Sequence, residues 1–100
     1  MTLSNEDKKH LRRLGHNLNP VVTVAGNGLS ESVLAEIDRA LNDHELIKVK
    51  LAVGGKEAKQ QVIAEITEKL HAEAVQSIGH IVLLLRRSEK PNAHLSNLLR

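Results

Sequence analysis

The sequence predicts an α/β (α+β) fold: a single mixed four-stranded sheet with helices packed on it, in the order α-β-α-β-α-β-β. Three observations lead there. Apolar residues at helical spacing alternate with short runs of Val, Ile and Leu at strand spacing. Glycines at 26, 28, 54, 55 and 79 punctuate those runs. Of the 100 residues 41% are hydrophobic, enough for one modest core and too many for a disordered chain.

Residues 4–17 read as a helix. Ser4 can cap it, Glu6 and Asp7 suit its first turn, and Leu11, Leu14 and Leu18 form a buried stripe. Gly15, Asn17 and Pro20 end it. Residues 21–25 read as a strand, because Val21, Val22 and Val24 are β-branched and Pro20 can open a strand but not sit inside one. Ser30 then caps a helix over residues 30–42, with Val33, Leu34, Ile37 and Leu41 inward. Residues 45–53 alternate cleanly: Ile47, Val49, Leu51 and Val53 point one way, Leu46, Lys48, Lys50 and Ala52 the other. Residues 56–70 form a second amphipathic helix with Val62, Ile63, Ile66 and Leu70 inward.

Residues 72–78 read as a strand with Ala74, Gln76 and Ile78 on one side, Val75 and Ser77 on the other. Gly79-His80 makes a tight hairpin turn into residues 81–86, a continuous apolar strand expected at the centre of the sheet. Right-handed crossovers put the helices after the first two strands on one face. The other face is then partly open, with Lys48 and Lys50 on it. The domain is expected to span residues 1–88. Pro91 and the polar residues around it predict a flexible tail over 89–100, with a short helical turn at 95–99.

Composition narrows function by exclusion. There is no cysteine, so disulfides and Cys-based zinc sites are out. The longest apolar run, residues 81–85, is far below the roughly 20 residues that span a bilayer. The first residues lack the basic and apolar regions of a signal peptide, so a cytoplasmic protein without membrane attachment is expected. The six histidines show no His-x-x-x-His spacing, and no nucleophile elbow, P-loop or dinucleotide fingerprint is present. The expectation is therefore a non-enzyme with no cofactor, no metal and no small-molecule substrate.

Net charge is +2 and the sequence pI is near 9.2, a mild lean toward anionic partners. The distribution says more. Lys8, Lys9, Arg12 and Arg13 share two adjacent rows of the first helix, and Arg86, Arg87 and Lys90 cluster late in the chain. Those four helical cations are a solvated face or a phosphate-contacting patch. Lys48 and Lys50 either keep an open face soluble or extend such a patch, and Arg86 is equally open. Gly26, Asn27 and Gly28 lie between a strand and a helix N-terminus. There, backbone N–H groups and the helix dipole can hold a phosphate, or the loop is a plain turn. There is no Phe, Tyr or Trp, which argues against an RRM sheet or an aromatic OB-type groove.

Four stretches together resemble the CRM domain, the chloroplast RNA splicing and ribosome maturation family. They are residues 14–22 (LGHNLNPVV), the loop ending in Gly28-Leu-Ser, residues 45–50 (ELIKVK), and residues 76–79 (QSIG) leading into an apolar strand and Arg86. The match covers residues 3–88 without insertion and is similar to the short stand-alone bacterial members. The resemblance implies an RNA-binding fold like the C-terminal domain of translation initiation factor three. It also implies association with precursors of the large ribosomal subunit (pre-50S particles) and their ribosomal RNA. The family's Gly-x-x-Gly loop falls on residues 25–28. Ala25 stands where the first glycine is usual, no basic residue lies inside the loop, and Leu85 replaces a common late tyrosine.

The expected RNA-binding residues are accordingly Gly26, Asn27, Gly28, Lys8, Lys9, Arg12, Arg13, Lys48, Lys50 and Arg86. The loop positions an RNA backbone, and the first helix supplies much of the attraction. A monomer assisting ribosome assembly is expected. The alternative is a ribosome-associated protein–protein module that uses the open sheet face.

Overall fold

Ser4 opens the first helix of the computed structural model, which describes residues 3–26 and 28–99. Its hydroxyl accepts from the Asp7 amide at 3.0 Å while its own amide donates to the Asp7 carboxylate at 3.4 Å, a reciprocal cap. Helix α1 (Asn5–Gly15) is followed by β1 (Pro20–Val24), α2 (Glu31–His44), β2 (Leu46–Leu51), α3 (Lys56–Leu70), β3 (Glu73–Ile78) and β4 (Ile81–Leu85). This is the predicted order.

The sheet runs β1-β2-β4-β3. β1 and β2 are parallel, and β4 is antiparallel to both of its neighbours. The apolar run 81–85 is thus an inner strand, as its unbroken hydrophobicity predicts. Both crossovers, β1-α2-β2 and β2-α3-β3, advance across the sheet in one direction, and right-handed connections then require their helices on one face. Val24, Ile37, Leu41, Ile47, Val49, Ile66, Val82 and Leu84 form the core on that side, with Val33, Val62 and Leu70 packed against it.

The opposite face carries a smaller core. Leu11 of α1 packs with Leu46, Val75, Leu83 and Leu85, flanked by Leu14, Leu18 and Leu98. Helix α1 lies so close that a Cβ on Gly15 would sit 2.8 Å from both Leu83 methyls. A side chain there would have to push the Leu83 methyls aside, so glycine lets helix and sheet approach closely. The face is therefore half covered, and the open half lies beside the C-terminal turn of α1.

Three details differ from the sequence reading. The first is at β3. The ladder shifts between Ala74 and Gln76, so Val75 and Gln76 both face the α1 side, and Ala74 turns away with Leu84. A β-bulge inserts one residue and inverts the alternation beyond it, which period two cannot reveal. The second is the α2–β2 junction. The helix runs to His44, and Glu45 alone joins it to the strand with φ 62°.

The third concerns residues 89–100, read as a flexible tail. Residues 92–98 are turns rather than helix, and they lie against the domain. Ser96 is fully buried and donates to the Glu45 carboxylate at 2.6 Å. Asn97 donates from its side chain to the Leu46 carbonyl at 2.6 Å and from its backbone to the His44 carbonyl at 2.9 Å. The second Glu45 oxygen accepts from the Ser88 amide at 2.7 Å. Polar residues do most of the docking, with Leu98 alone against the smaller core, so hydrophobic patterning gave little sign of it.

Candidate nucleic-acid interface

The glycine loop follows β1 directly. Gly28 closes a turn by donating to the Ala25 carbonyl at 2.9 Å and holds φ +86°, a conformation that excludes most side chains. Gly26 has no such demand: an added Cβ would meet only the Ala52 carbonyl, at 3.8 Å. Asn27, a predicted contact, lies outside the described residues. Ser30 then caps α2 by accepting from the Val33 amide at 3.2 Å. Helix geometry leaves the other first-turn N–H groups directed outward. Glu31 places a carboxylate at the same end, which opposes anion binding there. The cations must come from elsewhere.

Topology supplies them from two directions. The Ala52 amide donates to the Val24 carbonyl at 2.8 Å, so the loop at 52–55 lies beside the glycine loop. It leads into α3 at Gly55, which offers no side-chain cap, and then to Lys56 and Lys59. The Lys59 ammonium donates to the Gly79 carbonyl at 3.3 Å, which ties this helix start to the β3–β4 turn. Sequence reading missed Lys56 and Lys59, because isolated lysines on a helix look like solvated charge. Only the fold seats them at the β3–β4 turn, at the end of the sheet where the 52–55 loop also lies.

The second direction is the open sheet face. Lys50 pairs with Thr23 of β1 one residue before that strand ends, and with Ile81 of β4. Lys48, two residues back on the same face, borders a depression shared with Arg12 and His16 of α1. The predicted residues therefore do not form one cluster. Gly26, Gly28, Lys50, Lys48 and Arg12 form a track from the loop across the sheet to α1. Lys9 and Arg13 are exposed on α1, whereas Lys8 is half-buried in a shallow depression that Glu73 also lines.

Arg86 departs from the predicted set. Its guanidinium donates to the Asp38 carboxylate at 2.8 Å, the Asp38 carbonyl at 3.0 Å, the Asn42 side-chain oxygen at 2.9 Å and the Leu70 carbonyl at 2.9 Å. It clamps the end of β4 to α2 and to the C-terminus of α3. Isolated from its partners in the sequence, such an arginine cannot be told from a free one.

The family profile of the CRS1 / YhbY (CRM) domain matches residues 3–86. The chain belongs to this family. A Pseudomonas aeruginosa protein named "Probable RNA-binding protein" is 49% identical to this CRM-domain chain over 100 residues, covering all of it and 96% of that relative. An "RNA-binding protein" of Haemophilus influenzae is 53% identical over 94 residues, covering 94% and 95% of the two chains. The solution structure of a hypothetical protein from Staphylococcus aureus superposes with a TM-score of 0.78 at 30% identity, covering 89% of this CRM domain and 93% of that chain. Among the described residues, no helix is long and apolar enough to cross a membrane, and no cluster of three or more His, Asp or Glu is placed to hold a metal.

Proposed function

We propose that this CRM-domain protein binds RNA without catalysis, recognising the backbone of structured ribosomal RNA in precursors of the large ribosomal subunit and assisting their assembly. The cationic track carries the reading: Lys50, Lys48 and Arg12 follow one another from the glycine loop to α1. The names of the relatives support it. Gly26 and Gly28 let a phosphodiester approach main-chain N–H groups, while Lys9, Arg12 and Arg13 neutralise neighbouring phosphates. Arg86 holds the sheet to its helices and stays out of the contact set. The protein acts as a cytoplasmic monomer.

Crosslinking in cells followed by sequencing of the bound RNA tests this reading, with enrichment of large-subunit ribosomal RNA expected. Reversal of Lys9, Arg12 and Arg13 to Glu should release the protein from pre-ribosomal particles. Each lost phosphate contact should flatten the slope of log affinity against log salt by roughly 0.7–0.9. A second reading rests on the 65% exposure of Ile78, which suits a protein-docking sheet face. Binding that is insensitive to salt, with only background RNA recovered, would favour it.

A further inference from the structure

Beside α1, the open half of the sheet sinks into a depression of about 250 Å³. Ile78 and Ile81, partners across the β3–β4 hairpin, form its apolar floor. Arg12, His16, Lys48 and Gln76 form its rim, and among the described residues no carboxylate lines it. The cavity exists for two reasons already described. Gly15 lets α1 settle onto Leu83, which brings Arg12 and His16 down to the sheet. The bulge at Val75 turns Gln76 to this side.

We propose that this depression holds one unstacked base of a single-stranded RNA segment, next to the phosphate track. The inference rests on the RNA-binding reading and adds to it a base-sized subsite. Its volume lies just under the roughly 300 Å³ at which pockets for drug-sized ligands begin, which suits one ring system rather than a helix or a peptide face. A chain without Phe, Tyr or Trp has few planar groups to stack on a base. An Arg guanidinium and a His imidazole are two that serve, and both stand at this rim. Gln76 offers a donor and an acceptor to a base edge. The charge matches as well: among the described residues neither Arg12 nor Lys48 is ion-paired, so both are free for the flanking phosphates.

The test compares a labelled uridine oligonucleotide with an RNA duplex of equal length, using wild type, His16→Ala and the charge-neutral Ile78→Ser. Both side chains are exposed, so the variants are expected to fold. Each should weaken the single strand about tenfold and leave its salt slope unchanged, since stacking rather than phosphate contact is lost. Duplex affinity should stay within about twofold, because a paired base cannot enter. Unchanged single-strand affinity in both variants, with binding lost on reversal of Lys9 and Arg13 to Glu, overturns the base site and leaves RNA binding standing. No binding of either RNA by wild type overturns both. Shifts of the Ile78 and Ile81 methyl resonances on adding RNA-free ribosomal proteins, but not the oligonucleotide, overturn the base site in favour of a protein face.

Discussion

Replacing Arg86 separates a structural clamp from an RNA contact. Its side chain is 20% exposed and reaches two helices, through Asp38 and Asn42 of α2 and the Leu70 carbonyl of α3. The Leu70 carbonyl is at the end of α3, where no intrahelical donor is available, so Arg86→Ala orphans it at about 1–3 kcal/mol. The Asp38 carboxylate, 47% exposed, returns to water, so the ion pair itself adds no more than about 1 kcal/mol. With the packing of the buried stem, the expected loss is about 3 kcal/mol. Arg86→Lys retains the charge, but one nitrogen cannot span both helices, and about half of that loss should remain. Each kcal/mol shifts Tm by roughly 4–8 °C in a domain of this size, so the Ala variant should melt more than about 10 °C lower. Urea unfolding measures the loss, and RNA binding is measured well below the transition. Affinity there should stay within about twofold of wild type, since no phosphate contact is removed. An unchanged urea midpoint together with tenfold weaker RNA binding would refute the clamp and restore Arg86 to the contact surface.

Three other outcomes are expected. Glu45→Ala leaves the Ser88 amide and the buried Ser96 hydroxyl without their acceptor and should cost about 2–4 kcal/mol in urea unfolding, with faster amide exchange at residues 96–98. Gly15→Val drives methyls into Leu83 and should cost about 2–3 kcal/mol; combined with Leu83→Ala it should cost less than the two separately in a double-mutant cycle. In the loop, Gly28→Ala strains a φ of +86° and should cost about 1–2 kcal/mol. Gly26→Ala should leave stability within about 0.5 kcal/mol and weaken RNA binding severalfold, as binding isotherms beside thermal melts would show.

The backbone order was readable because each element carries its own period and its own punctuation. Ser4 and Ser30 cap the helices they were expected to cap, and Gly79 takes φ 58° at the first position of the two-residue hairpin. The stripes Leu11-Leu14 and Val62-Ile63-Ile66 lie where their spacing puts them. What escaped was information held between distant residues. The Val75 bulge is a property of a strand pair. The partners of Arg86 are 16 to 48 positions away, and Ser96 meets Glu45 across 51. The candidate site divides the same way. The basic character of α1 and the glycine loop are local and visible. The company of His16, Gln76 and Ile78 arises only when a helix, a bulged strand and a hairpin meet.

The placement of β4 between β2 and β3 has a consequence for the order of events as the chain is made. Strands β1, β2 and β3 are all synthesised before the strand that joins β2 to β3. Until residue 85 is available, the inner edges of β2 and β3 have no hydrogen-bonding partner, and the floor of the open face, which needs Ile81 and Leu83, does not exist. The β2–β4 ladder, from Leu46↔Leu85 to Lys50↔Ile81, closes a loop of at least 30 residues in one step. Pairing of that span is non-local, which slows folding relative to a chain built from local contacts. A nascent chain stopped short of β4 would present two unpaired strand edges to its surroundings, a templating hazard that the last strand removes.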